Sequence, residues 1–420
     1  MSPLNTNNIA PTPPAWLTCG YLEHKLQIYH NNTSLKIINL EIVPATAQGE
    51  NYLSIMWRIK VSYSVQYKKD MQTSSYIAKT CFQDNSVSAN VINEFNMFPH
   101  EMKIYEKILP KLTEILKEIG YEHKMFADAV YVDYENSAII FEDLSTQNFV
   151  TADRVTCLDM EHVKVVLSTL AKFHAAGAVL NERMPGIFAQ NYDRGMMNRR
   201  TTAFQPKIEG VLTALARYVE SESDLKEKYY EKLSTLITRA MEYGARVFDV
   251  NDQHFMTLVH GDFWTSNIMF RYSDNVPISI VPVDFQFSVW TSPAIDLHYF
   301  FNTSLQEDLR LYKQPELIQF YYYNLANTLR SIKYHGHIPS LFDFKIQVEM
   351  RSFLALTSAF IYQPVMICEE TEDASFKNLV SNSEEGIRFK KTLFRNERVQ
   401  KNLKRLLPIF DQKGLLDVMD

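Results

Sequence analysis

Three residues in one stretch of this chain have the types and spacing that phosphoryl transfer needs. Asp262 and Asn267 stand in Leu258-Val-His-Gly-Asp-Phe-Trp-Thr-Ser-Asn267, and Asp284 follows in Val283-Asp-Phe-Gln286. Transfer from a nucleotide calls for a carboxylate that accepts the proton of the attacking hydroxyl. It also calls for oxygen ligands to the Mg²⁺ that neutralises the phosphates. Asp262 suits the first task, and Asn267 with Asp284 suits the second. Between them, Ile268-Met-Phe-Arg-Tyr and Ile278-Ser-Ile-Val-Pro-Val read as strands, with Ser273-Asp-Asn-Val-Pro277 as the turn. Such a hairpin predicts Asn267 and Asp284 side by side at one end.

The elements around this stretch change character along the chain. Residues 35–45, 52–67 and 75–82 cluster Ile, Leu, Val and Tyr as strands do, and 130–141 reads as further strand ending at Ile139-Ile-Phe-Glu-Asp-Leu144. Residues 86–109 read as mainly helical. From His162 to Leu180 the apolar residues recur at helical spacing, and long amphipathic stretches follow at 206–248, 305–333 and 344–367. The chain is thus strand-rich first and helix-rich later. The expected division is residues 1–141 for nucleotide binding and 142–420 for catalysis and substrate, together one α+β domain of two lobes.

A nucleotide site of this kind draws on both parts. Lys79, in the third strand, is the candidate to reach the phosphates, and a carboxylate from the following helix must hold it. Glu101 is the better candidate and Glu94 the alternative. Pro99 fits as the first residue of a helix running to about Leu109, with Glu101 in its first turn.

These features together resemble the insect ecdysteroid-kinase-like family, within the wider choline/aminoglycoside kinase-like group. The resemblance rests on Gly49-Glu-Asn-Tyr-Leu-Ser54, Ala78-Lys79, Phe98-x-x-Glu101-x-x-Ile-Tyr105 and Phe141-Glu-Asp-Leu144. Leu170-Ala-Lys-Phe-His-Ala-Ala176, His260-Gly-Asp-x-Trp-x-x-Asn267 and Asp284-Phe-Gln286 complete the set, over roughly residues 15–415. It implies a protein-kinase-like two-lobed fold and ATP- and Mg-dependent phosphorylation of small-molecule hydroxyls, including those of steroid hormones. It further implies Asp262 as base, Asn267 and Asp284 as metal ligands, and Lys79 and Glu101 at the ATP site. Asn51 and Ser54 would belong to the phosphate loop, and Glu142 and Leu144 would offer backbone groups to adenine. Two positions depart from protein kinases: Gly261 stands where they place Arg, and Gln286 where they place Gly. No Gly-x-Gly-x-x-Gly loop occurs, so control by a phosphorylated activation loop and a protein substrate are not expected.

Other residues read more plainly. His260 is expected to orient the loop, His174 to be a satisfied core histidine, and Asp296 to brace the loop. Trp264 suits either a substrate wall or packing. The acidic run Glu369-Glu-Thr-Glu-Asp373 reads as a solvated loop. The aromatic run Phe320-Tyr-Tyr-Tyr323 must face several ways on one helix and reads as mostly core.

Composition narrows the partners. A net charge of −6, with 46% hydrophobic and 22% charged residues over 420, gives no general attraction to nucleic acid or anionic membranes. The four cysteines show no metal or disulfide spacing. No signal peptide is visible, and the apolar stretch Phe353 to Cys368 reads as a buried helix, so a cytoplasmic location without an obligate protein partner is expected. The acceptor expected first is an ecdysteroid or a similar steroid or secondary metabolite, and dietary or foreign compounds also come within the resemblance. A cationic acceptor of the choline or aminoglycoside type, and a non-catalytic binding module, are the alternatives.

Overall fold

The computed structural model describes residues 12–45, 54–68, 70–81, 93–189, 191–369 and 374–418. Two compact units emerge. The first holds residues 1–84 and 127–147, and the second 85–126 and 148–420. Where composition suggests a single change near residue 142, the units interleave, because the helical segment after the third strand packs with the later helices.

The first unit is a five-stranded antiparallel sheet in the order β1-β2-β3-β5-β4. Its strands are β1 (Lys36–Pro44), β2 (Ile55–Ser64), β3 (Gln72–Thr80), β4 (Ala129–Asp133) and β5 (Ala138–Glu142). Strand β2 alternates as a half-buried strand must, placing Trp57, Ile59, Val61 and Tyr63 in the core. The helix Cys19–Tyr29 closes that core with Leu22 and Leu26, four residues apart on one face, and Thr18 caps it by accepting from the Tyr21 N–H. In β3, Lys79 lies in register between Met56 and Ile139 and is only 4% exposed.

The second unit is mostly helical. The long helix Met160–Arg183 starts at an Asp159 cap and buries nearly every residue of its second half, from Leu170 to Leu180. By length and composition it is apolar enough to cross a membrane, but most of it is buried inside the protein. Gly177 allows its close approach to β7 (Thr257–Val259). A Cβ there would stand 2.7 Å from Thr257 Oγ1. Strands β6 (Phe149–Thr151), β8 (Ile268–Ser273) and β9 (Val276–Pro282) form a second antiparallel sheet, and β7 pairs with β10 (Val289–Thr291).

Two helices of this unit contain a widened turn just ahead of a proline. Met97–Lys103 passes through a π turn at Ile104–Ile108 into Leu109–Lys117, and the Leu109 N–H donates to the Ile104 carbonyl. Phe353–Thr357 passes through Ser358–Tyr362 into Gln363–Met366, with the Gln363 N–H donating to the Ser358 carbonyl. Pro110 and Pro364 lack an N–H and would crowd the carbonyl four residues back. A π turn relieves that crowding without ending the helix.

The first of these corrects an expectation. The helix does not begin at Pro99 and stop near Leu109; it begins at Met97 and continues to Lys117. Pro99 is its third residue, where the missing N–H has no intrahelical partner in any case, so Glu101 falls beyond the first turn. The run 320–323 places Tyr321 and Tyr322 in the core and Tyr323 half outside.

Candidate active site

The stretch 258–267 leaves β7 and turns at Gly261. This residue has a φ of +80°, and a Cβ on it would lie 2.1 Å from the Phe287 carbonyl oxygen. Only glycine fits there without moving that carbonyl. The turn is fastened from below by Asp296, which is fully buried and accepts three hydrogen bonds. The His260 N–H donates at 2.7 Å, the Gly261 N–H at 2.8 Å, and the His174 Nε2 at 3.0 Å. His174 is completed by the Tyr321 hydroxyl at 2.6 Å, so it is the satisfied core histidine expected. His260 ties the loop sideways: its Nε2 donates to the Val283 carbonyl at 2.9 Å, and its Nδ1 faces the Asp262 N–H at 3.4 Å.

The hairpin has the predicted form. Strands β8 and β9 pair from Ile268↔Pro282 to Ser273↔Val276, and the turn residues Asp274 and Asn275 both have positive φ, as a tight hairpin requires. At its open end the Val283 N–H donates to the Asn267 carbonyl at 2.9 Å, which puts Asp284 beside the loop. Asp284 has a φ of +69°, and Gln286 Nε2 stands 3.5 Å from its carboxylate.

Asp262 has two close neighbours. Asn267 Nδ2 donates to its carbonyl at 2.9 Å and to its carboxylate at 3.1 Å, and the Tyr299 hydroxyl lies near the same carboxylate. Burial and then the Asp284 charge push the Asp262 carboxyl up, while Tyr299, His260 and Lys207 pull it back. The amide of Asn267 is thus oriented so that its Oδ1 accepts nothing among the described residues. Mg²⁺ is commonly held by one or two protein oxygens together with substrate phosphates, not by a full protein cage. Two mutually repelling carboxylates with an unused amide oxygen nearby fit that ion. Among the described residues no group of three or more His, Cys, Asp or Glu could hold a metal.

Three further residues line this region without having been expected from the sequence. Tyr299 lies one turn beyond Asp296 on the helix Ala294–Ser304, and its ring centroid is 5.3 Å from that of Tyr362. Tyr362 ends the π turn and is 2% exposed. Lys207, near the start of the helix Gln205–Ser221, places its ammonium 4.5 Å from the Tyr362 ring centre and 5.7 Å from that of Phe204. Burial pushes Lys207 down to about 8 against the pull of Asp262. Tyr299 is legible in hindsight as the i+3 partner of Asp296, whereas nothing in sequence marks Lys207 or Tyr362. Trp264 is half-buried and extended just before the short helical turn Thr265–Asn267.

The remaining candidates fall as follows. Glu101 is buried in the second unit, and its charge together with that of Asp284 acts on Tyr105, whose hydroxyl bonds the Asp284 backbone. Glu94 instead accepts from the Thr202 N–H at 2.6 Å on the surface. In the first unit, Ser54 is buried, and Asn51 lies outside the described residues. The Glu142 N–H donates to the Asp128 carbonyl at 3.1 Å, and Leu144 opens a short helical turn, Leu144–Gln147. Of the acidic run, Glu369 is exposed and 370–373 lie outside the described residues.

The ecdysteroid kinase-like family model matches residues 48–334, and the chain belongs to that family. The family supports a small-molecule kinase, as the loop chemistry does. No curated protein is significantly similar to the chain. Among solved structures it is similar to the streptomycin–ATP–APH(2″)-IIa ternary complex, at 12% identity over 84% of this chain and 98% of that one, with a TM-score of 0.34. It is also similar to a GDP complex of a mutant aminoglycoside 2′-phosphotransferase-IIIa, at 12% identity over 92% of this chain and 99% of that one, with a TM-score of 0.39. Both likenesses are distant and add nothing to the family assignment.

Proposed function

We propose that this protein is an ATP- and Mg²⁺-dependent kinase for a hydroxyl of an apolar small molecule, an ecdysteroid or a similar steroid or secondary metabolite. The observation that carries this reading is the fastened loop: Asp262 is held by Asn267, and the hairpin sets Asp284 next to it. In this reading Asp262 accepts the proton of the acceptor hydroxyl as its oxygen bonds to the terminal phosphorus of ATP. The bond from that phosphorus to the bridging oxygen breaks, and ADP leaves. Asn267 and Asp284 would hold Mg²⁺, which when bound supplies the counter-charge for the phosphates. Lys79, Glu101, Asn51, Ser54, Glu142 and Leu144 are proposed as nucleotide contacts on the order and spacing of the family motifs.

An apolar acceptor is supported by the aromatic residues beside the loop. Phe204 packs on Phe95 at 4.9 Å, Phe287 at 5.7 Å and Phe376 at 6.0 Å between ring centroids. Phe204, Phe287 and Phe376 are core, and they make the surroundings of the loop apolar. Burial of apolar surface is worth about 25 cal/mol per Å², so a rigid ring system could bind in such surroundings without a charged anchor. The test is transfer of labelled γ-phosphate from ATP to hydroxysteroids, plant glycosides, amino alcohols and aminoglycosides. Phosphorylation of hydroxysteroids or glycosides is expected, and Asp262→Asn should bind Mg-ATP yet transfer ~10²–10⁴-fold more slowly. Transfer only to amino alcohols or aminoglycosides, or full turnover by Asp262→Asn, overturns the reading.

A further inference from the structure

The second unit contains a cation that the phosphoryl-transfer chemistry does not use. Lys207 is half-buried, and among the described residues its ammonium has no hydrogen bond or ion pair. Its partners are the ring faces of Tyr362, at 4.5 Å, and Phe204, at 5.7 Å. A half-buried ammonium keeps part of its hydration, and ring faces take none of its N–H donors in a directed bond. Its donors are therefore open to an acceptor from outside the protein. Tyr362 in turn touches Tyr299, and the Tyr299 hydroxyl lies near the carboxylate of Asp262. The cation is thus linked to the proposed base through two tyrosines, and Phe204 beneath it packs in turn on Phe95, Phe287 and Phe376.

This arrangement bears on the acceptor. A ligand ammonium is bound by the faces of aromatic rings, and here the faces of Tyr362 and Phe204 are already occupied by the protein's own cation. A second positive charge would meet Lys207 instead of a vacant cage. An oxygen atom would meet an open donor.

We propose that Lys207 determines acceptor specificity: its ammonium donates to an oxygen next to the reacting hydroxyl, selecting polyoxygenated neutral or anionic acceptors and excluding ammonium-bearing ones. The inference rests on the phosphotransferase reading above and narrows its substrate class. The π turn is part of the device, since Tyr362, its last residue, carries the ring that Lys207 faces within an otherwise continuous helix. Vicinal diols, hydroxyketones and hydroxy acids on an apolar ring system have the required chemistry.

The experiment uses the full chain with Mg-ATP and matched pairs of ring alcohols that differ only in an oxygen beside the reacting hydroxyl, together with choline and ethanolamine. A charge-assisted hydrogen bond contributes ~10–100-fold to affinity. The wild type should prefer the oxygenated member of each pair by about that factor in kcat/KM, chiefly through KM. Lys207→Met should abolish the preference, Lys207→Arg should restore part of it, and Lys207→Glu should admit amino alcohols. Calorimetric binding of Mg-ATP by each variant shows that it is folded. A preference that persists in Lys207→Met overturns the inference and leaves the phosphotransferase reading standing. A uniform loss of kcat with every acceptor assigns Lys207 to the support of Asp262 and also overturns it. A wild type that phosphorylates only amino alcohols, or nothing in the panel, counts against both.

Discussion

Asp296 offers the sharpest test of how the loop is held. It is fully buried and receives the His260 N–H, the Gly261 N–H and the His174 Nε2–H at 2.7, 2.8 and 3.0 Å. Asp296→Asn keeps the shape but replaces one carboxylate oxygen with an NH₂ group. That group points at a donor, so one buried N–H loses its partner and the other bonds lose their charge assistance. An unsatisfied buried group costs about 1–3 kcal/mol, and a bond to a charged group is worth roughly twice a neutral one. The sum is about 3–5 kcal/mol, a large share of the ~5–15 kcal/mol that holds an ordinary domain together. At about 2 °C per kcal/mol for a unit of this size, the melting temperature should fall by roughly 6–10 °C. Asp262 is only two residues beyond His260, and a displacement of ~1 Å at a reacting group costs ~10²-fold in rate. Scanning fluorimetry reads the first effect and phosphoryl transfer at saturating ATP the second. A folded Asp296→Asn protein that melts within about 2 °C of wild type and turns over within about threefold would refute the reasoning.

Three further outcomes are expected. Asp284→Ala should fold but bind Mg-ATP markedly more weakly by calorimetry, because one proposed metal oxygen is gone; unchanged affinity would remove Asp284 from that role. Gly261→Ala should lose at least ~2 kcal/mol, since it must take up φ of +80° and move the Phe287 carbonyl 2.1 Å from its Cβ; a melting temperature equal to wild type would show that the turn can yield. Burial pushes His100 and His298 each down to about 4 from an ordinary value of 6.5, so the unfolded chain binds these protons first. Their contribution is therefore fully present above about pH 6.5 and is lost as pH falls toward 4. The slope is about 1.4 kcal/mol per pH unit for each histidine, and a melting temperature flat between pH 7 and 5 would contradict it.

What the chain reveals as a sequence is what depends on short range. Asp262, Asn267 and Asp284 lie within 23 residues, and the segment between the last two is a hairpin whose turn and alternation are local signals, so their convergence could be read before any packing was known. The strands of the first unit and the long helix Met160–Arg183 were legible for the same reason, since periods of two and of 3.6 residues are written in the side chains themselves. Tertiary structure alone decided the rest. Lys207, Tyr299 and Tyr362 come from three helices far apart in the chain, and which of their faces meet depends on helix packing. The π turns before Pro110 and Pro364 shift the register of every residue beyond them, which a strict 3.6-residue reading misplaces. The place of Glu101 within its helix was misread, because Pro99 can occupy any early helix site whose N–H would be unpaired anyway. Spacing along the chain can place groups that a single hairpin joins. It cannot say which distant side chain fills the space beside them, because that choice is made by close packing in three dimensions.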